Sequence, residues 1–192
     1  MESARASSPS PPASRSAKGT MPSASWMWCL TSTTPSPSSG DGSASSAGSG
    51  ARCATVQRAL RDEGTSYHYQ PSAEFSTAPI DMLSVVAGAF DTLRVPVERG
   101  ATWTTDAPFR ETAETVEAMR SRGLLAVEME AAALYAFAAA REKPVLCFAH
   151  VTNQMAQAHS DFEKGEADGT VDALVVILAA AKRFAAKGGE TS

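Results

Sequence analysis

The stretch LLAVEMEAAALYA, residues 124–136, decides the fold of this 192-residue chain. It opens with an apolar run of strand length that ends in two carboxylates, Glu128 and Glu130, on either side of Met129. A helix rich in small residues is predicted directly afterwards, over residues 129–141. A strand that runs into a helix is typical of α/β proteins, in which ligands bind where strands end.

The two carboxylates allow two interpretations. Carboxylates are rarely buried without partners, so Glu128 and Glu130 at a strand end suggest a site that grips hydroxyl or amine groups. The alternative is a capped helix, because negative charge is favoured near the N-terminus of a helix.

Strands and helices alternate after residue 55, which predicts an α/β layer with a largely parallel sheet. Pro96 indicates an irregular or edge position within one strand, and Gly123 is expected to close one helix. The predicted strands are 56–60, 94–104, 124–127 and 144–151, and the predicted helices are 79–93, 111–122, 129–141 and 171–187.

Bulk composition excludes several classes of function. The net charge is −4, so no basic surplus points to nucleic acid or to an anionic membrane. No apolar run of the sequence reaches membrane-spanning length. The three cysteines are far apart and match no metal-ligand spacing, which fits free thiols in a reducing compartment. We therefore expect a cytoplasmic protein without a metal site.

Composition also divides the chain. Residues 1–54 are dominated by Ser, Ala, Pro, Gly and Thr, with one short apolar cluster at 26–30. Such a segment buries too little apolar surface to offset its ordering entropy, so we predict a low-complexity region that is disordered or not native to the domain. Residues 55–192 form the predicted globular domain.

The motif VEMEAAAL at residues 127–134 closely resembles the signature of the purine and uridine phosphorylase family. The resemblance runs from about residue 57 to 187. It implies a three-layer nucleoside phosphorylase-like α/β fold with a central mixed sheet. It also implies that Glu130 holds the ribose 2′- and 3′-hydroxyls, that Met129 packs under the sugar, and that Glu128 helps to place sugar or base.

The early phosphate-binding elements of the family have no convincing counterpart upstream of residue 57. The resemblance therefore implies a domain that lacks part of its N-terminal half. Two explanations of residues 1–54 stay open. The Ser-rich, acid-poor segment superficially resembles an organelle transit peptide. It also has the Ser/Pro/Ala/Arg/Gly composition of a GC-rich gene read out of frame.

A second motif, TTDAPFR at residues 104–110, follows a predicted strand and precedes a predicted helix. It is similar to a Thr/Ser-x-Asp element of the family with aromatic residues just after it. The resemblance makes Asp106 a substrate-binding candidate and Phe109 a platform on which the base stacks. The alternatives are a helix cap for Asp106 and a plain core residue for Phe109.

A third element, Thr152-Asn153, follows the last predicted strand, where purine-cleaving relatives carry a Ser-Asp pair. An amide cannot act as a general acid, but it can hydrogen-bond a carbonyl and a ring N–H. Asn153 is therefore the catalytic candidate and Thr152 a substrate-binding candidate. The base that fits this pair is uracil or a 6-oxopurine. The alternative for Asn153 is a turn residue at the strand end.

The implied reaction is phosphorolysis, which cleaves a nucleoside into free base and ribose 1-phosphate with inorganic phosphate as co-substrate and no cofactor. The loop at residues 64–66 could offer backbone N–H groups to an anion, without being assigned as the phosphate site. Two alternatives remain open, a nucleosidase that uses water and a catalytically inactive fragment of the family. Relatives assemble as oligomers, so we expect a homo-oligomer built from dimers.

Overall fold

The computed structural model describes residues 26–35, 53–155 and 169–189, with side chains for 53–151 and 169–187. Within these residues, short 3-10 turns at Ser66–His68 and Pro108–Arg110 follow two of the strands. The strands are β1 (Trp26–Pro35), β2 (Cys53–Asp62), β3 (Phe75–Thr77), β4 (Val97–Thr105), β5 (Leu124–Glu128) and β6 (Val145–Met155). The helices are α1 (Ile80–Val85), α2 (Ala113–Ser121), α3 (Ala131–Ala140) and α4 (Thr170–Gly189).

The strands form one sheet in the order β3-β2-β4-β5-β1-β6, with a further pairing between β2 and β6. Strands β2, β4 and β5 run parallel, and β3 and β6 run antiparallel to β2. One edge of β2 pairs with β4, while its other edge is shared between β6 at Cys53–Thr55 and β3 at Arg58–Leu60. The sheet therefore closes on itself.

The α/β class with a central mixed sheet and flanking helices is confirmed, and most of the paired residues lie in parallel pairings, in line with the expected largely parallel sheet. Among the described strands three pairings are antiparallel, and each of these joins at most three residue pairs. One of them arises from a connection without a crossover helix: β3 returns along β2 after residues 63–74, which contain only the 3-10 turn Ser66–His68.

Most predicted elements have a counterpart, and three elements differ from prediction. The helix predicted over 79–93 ends at Val85, and Gly88 lies in the left-handed region with φ +70°. Phe90 is nevertheless buried, so the apolar pattern marked the core and not the helix length. Strands β1 and β3 were not predicted; β1 contains the apolar cluster at 26–30. The domain boundary near residue 55 stays a prediction.

The buried side chains form two clusters. The larger one joins α1, α3 and α4 to β2 and β6, and the smaller one joins α2 to β4 and β5. Helix α3 packs against β2 and β3 through alanines that are almost completely buried, because only a small side chain allows so close an approach. In the described part of the chain, no helix combines the length and the apolar composition needed to cross a bilayer.

Candidate functional site

Three parallel strands end side by side at one edge of the sheet. Asp62 of β2 pairs with Thr105 of β4, and Thr104 of β4 pairs with Glu128 of β5. The segments that follow these strands, 63–66, 106–110 and 129–130, therefore leave the sheet next to one another. This edge, called here the carboxyl edge, brings the predicted site residues of the second motif close to those of the first.

Glu128 lies inside this edge with only 2% of its surface exposed. Its Oε1 accepts hydrogen bonds from the hydroxyls of Thr104 at 2.5 Å and Thr102 at 3.0 Å. Its Oε2 accepts from the backbone N–H groups of Glu130 at 2.8 Å and Ala131 at 2.7 Å. The carboxylate therefore caps the N-terminus of α3, as the helix-cap interpretation predicts. All four of its hydrogen bonds are to other residues of the protein.

The burial of Glu128 changes its titration. Loss of hydration raises the pKa of this carboxyl above its usual value of 4.5, because a low-dielectric surrounding disfavours the charged form. The hydrogen bonds from Thr104, Ala131, Glu130 and Thr102 act in the opposite direction.

Met129 and Glu130 are the exposed part of the first motif. Met129 is 45% exposed, and Glu130 is exposed at the N-cap position of α3 with a non-helical φ of −130°. The Glu130 carboxylate makes no capping bond to the helix; its Oε2 accepts from the backbone N–H of Met129 at 3.2 Å. The two glutamates thus differ, since one is committed to the fold and the other faces solvent.

The segment 106–110 presents Phe109 to solvent, with 86% of its surface exposed. Asp106 accepts a hydrogen bond from the backbone N–H of Gly64 at 3.0 Å, and Arg110 reaches Asp62 at 3.4 Å. Helix α2 is capped by Thr112, whose hydroxyl accepts from the backbone N–H of Thr115. The alternatives of a helix cap for Asp106 and a core position for Phe109 are therefore wrong.

The loop 64–66 uses its N–H groups internally. Thr65 and Ser66 donate to the carboxylate of Glu63, and Gly64 donates to Asp106. Buried Arg61 stabilises the same loop by donating to Ser66 Oγ at 2.7 Å and to backbone carbonyls of residues 70–73. Because two carboxylates already take these N–H groups, the loop does not offer them to an anion.

The side chains of Thr152 and Asn153 lie outside the described residues, but their backbone belongs to β6. Thr33 of β1 pairs with Val127 of β5 on one side and with Asn153 on the other. The backbone of Asn153 is therefore level with Val127, two strands away, at a distance of roughly 10 Å for ordinary strand spacing. The register brings the third motif to the end of β5 where the first motif begins.

Sequence reasoning missed the partners of Glu128. Thr102 and Thr104 are fully buried on the same face of β4, opposite the end of β5. One feature of the sequence indicates them: they are polar residues at alternate positions of a strand whose surroundings are apolar. Such hydroxyls need a buried partner, and a carboxylate on the neighbouring strand provides one.

His150 is buried at the junction of β6 with β2, where it pairs with Cys53 in register. Burial lowers the pKa of His150, and the charge of Asp172 on α4 opposes that shift. Within the residues that the structure describes, no three His, Cys, Asp or Glu side chains lie close enough together to hold a metal ion.

The sequence model of the Phosphorylase superfamily matches residues 53–183, which is well over half of the chain. The chain belongs to this superfamily. The resemblance to nucleoside phosphorylases that the VEMEAAAL motif indicates is thereby confirmed at the level of the family. A comparison with curated protein sequences gives no significant match. The matched region begins at the first residue of β2 and includes the carboxyl edge and all three motifs.

Proposed function

We propose that this member of the phosphorylase superfamily cleaves the N-glycosidic bond of uridine or a 6-oxopurine ribonucleoside. Inorganic phosphate is the co-substrate, and the products are free base and ribose 1-phosphate. The observation that carries the proposal is the exposed pair Met129-Glu130 at the end of β5, together with the exposed Phe109 in the segment that follows the neighbouring strand β4. An ionised acceptor, an apolar surface and an aromatic ring suit a ribose diol, the sugar face and the base.

In the proposed reaction, a phosphate oxygen forms a bond to C1′ while the C1′–N bond breaks. The electron pair of that bond stays on the base, which leaves as its anion or takes up a proton. Positive charge develops on the sugar ring as the bond breaks, and Glu130 holds the sugar through its 2′- and 3′-hydroxyls. Asn153 accepts from the ring N–H of the base and donates to its carbonyl, which favours a departing uracil or 6-oxopurine.

Glu128 has a different role in this proposal from the one that the resemblance implies. Hydrogen bonds within the protein occupy both of its oxygens, so Glu128 does not bind the substrate. Its role is to hold the protein backbone around the site in place. Asp106 likewise accepts from Gly64, which fixes the segment that carries Phe109. Of the residues in the first two motifs, substrate contact is therefore assigned to Met129, Glu130 and Phe109, beside the contact of Asn153 with the base.

The test is release of uracil from uridine, or of hypoxanthine from inosine, with and without phosphate. Glu130→Ala is expected to lower kcat/KM at least about 100-fold, because two charge-assisted hydrogen bonds of roughly 1.5–3 kcal/mol each are lost. Glu117→Ala, at an exposed position on α2, serves as the matched control and should retain activity. Cleavage that proceeds equally well without phosphate would identify water as the nucleophile, and no cleavage of either nucleoside would contradict the proposal.

A further inference from the structure

The hydroxyl of Thr104 is the centre of a buried network. It donates to Glu128 Oε1 at 2.5 Å and accepts from the backbone N–H of Ala132 at 3.0 Å. Thr102 donates to the same Oε1 at 3.0 Å, and no bond from Thr102 to α3 accompanies it among those described. Both threonines are fully buried. Thr104 therefore connects β4 to the first turn of α3 both directly and through Glu128.

The hydrogen-bond network of Thr104 and Glu128 ends at the backbone of Glu130, whose side chain is exposed. Glu128 Oε2 accepts the N–H of Glu130 at 2.8 Å and that of Ala131 at 2.7 Å. The peptide groups on both sides of the Glu130 α-carbon are thus held from beneath, while its carboxylate is exposed. Hydrogen bonds between rigid, buried partners fix position well, because the interior is close-packed and any shift leaves a polar group unsatisfied.

We propose that Thr104 and Glu128 are positioning residues that set the selectivity of the site for ribonucleosides over 2′-deoxyribonucleosides. This inference rests on the proposed function of Glu130. A carboxylate that binds two neighbouring hydroxyls must be correctly oriented toward both of them at once. A displacement of the carboxylate by about 1 Å therefore weakens both hydrogen bonds. A 2′-deoxyribonucleoside has only one of these hydroxyls and is less sensitive to the same error. Displacement of Glu130 therefore costs the ribonucleoside more.

The experiment measures binding by calorimetry in the absence of phosphate, with uridine and 2′-deoxyuridine, or inosine and 2′-deoxyinosine. Thr104→Val removes the hydroxyl at nearly constant volume, and it is expected to lower the ribose preference about tenfold, the equivalent of one good hydrogen bond. Thr104→Ser keeps both bonds and should retain the preference. Thr102→Val removes one hydrogen bond to Glu128 Oε1 but leaves every N–H group of α3 with its acceptor. It should therefore change the ribose preference less than Thr104→Val does.

A double-mutant cycle separates positioning from a general loss of stability. In a Glu130→Ala background no carboxylate remains to be positioned, so Thr104→Val should leave the ribose preference unchanged. Additive effects of the two substitutions on that preference would overturn the inference. So would equal weakening of both nucleosides by Thr104→Val, or a native chain that binds them equally well.

Should Thr104→Val fail to fold, Glu128→Asp gives the same test, because it keeps the charge but shortens the reach by one carbon. It is expected to lower the ribose preference, and an unchanged preference would count against the inference. The measurement needs no turnover. Failure of phosphorolysis with ribose preference intact would therefore refute the proposed reaction alone.

Discussion

A carboxylate can be buried only when its oxygens are fully hydrogen-bonded, and Glu128 meets that condition with two hydroxyl and two backbone donors. Two residues further along, Glu130 is exposed. The same residue type thus serves two purposes in one turn of chain. Glu128 stabilises the junction between β5 and α3, and Glu130 remains available for a ligand.

Removal of the Glu128 carboxylate is expected to destabilise the fold. Glu128→Ala leaves four donors without their acceptor, three of them buried, and we expect the free energy of unfolding to fall by about 3 kcal/mol. Glu128→Gln should lose less, since the threonine hydroxyls can turn to accept from its amide. Urea denaturation of both variants checks this, and equal losses would show that the hydrogen bonds do not carry the stability.

The raised pKa of Glu128 predicts a pH dependence. In the window above its usual value of 4.5, the folded state keeps a proton that the unfolded state has lost. Its contribution to the free energy of unfolding therefore falls as pH rises through this window. Wild type should lose stability relative to Glu128→Gln between acidic and neutral pH, measured by urea denaturation at several pH values. A constant difference between the two proteins would contradict the shift.

The chemistry of this edge was predictable where it depended on neighbours in sequence. The strand end and the helix that begins after the Glu-Met-Glu motif both follow from one local pattern. The bonds of Glu128 to Thr102 and Thr104 and of Asp106 to Gly64 join residues far apart in the chain. Only strand order and register create such contacts, and a single sequence does not contain them.

At the scale of elements, α3 illustrates how composition sets packing distance. Ala131, Ala132 and Ala136 are fully buried, and the helix packs against β2 and β3 through this small-residue face. Larger side chains would hold the helix away from the sheet and move Glu130 with it. The position of the exposed carboxylate thus depends on the alanines that follow it.

Enlargement of this face should be costly. Ala136→Leu places three extra carbons where no space exists, and we expect a loss of about 2 kcal/mol in the free energy of unfolding. Ala140→Leu, at an exposed position of the same helix, is the matched control and should be nearly neutral. Thermal and urea denaturation of the two variants give the comparison. A tolerated leucine at 136 would mean that α3 can shift without penalty.

Element type followed from the sequence more reliably than element length. Helix α2 ends before Gly123 as predicted, because a glycine at φ +77° terminates a helix at little cost. Helix α1 is shorter than its apolar period because residues 86–92 form turns that still bury Val86 and Phe90. Apolar spacing reports which side chains are buried, and the backbone conformation that buries them is a separate question.

At the scale of the whole molecule, Tyr135 connects distant parts of the sheet. Its hydroxyl donates to the carbonyl of Val56 in β2 at 2.5 Å and accepts from the N–H of Cys147 in β6 at 3.1 Å. These are the two strands whose pairing closes the sheet. One side chain of α3 therefore holds both strands near the point of closure.

Tyr135→Phe removes only this hydroxyl. It leaves one carbonyl and one N–H unsatisfied in the interior, so we expect the free energy of unfolding to fall by about 2 kcal/mol. Tyr69→Phe, at a partly exposed ring, should have little effect. Hydrogen exchange should show faster opening at β6 than in wild type. Unchanged protection of β6 would indicate that the pairing of β2 with β6 does not depend on the tyrosine.

The pairing of β1 with β6 has a consequence for the order of events during protein synthesis. Trp26 lies opposite Val145, and Pro35 lies opposite Met155. At about 5–20 residues per second, a ribosome needs on the order of ten seconds to make the intervening chain. For that time β1 has no β6 to pair with, and β2 has one incomplete edge. Chaperones that bind nascent chains are therefore expected to be most important for this protein before translation reaches β6.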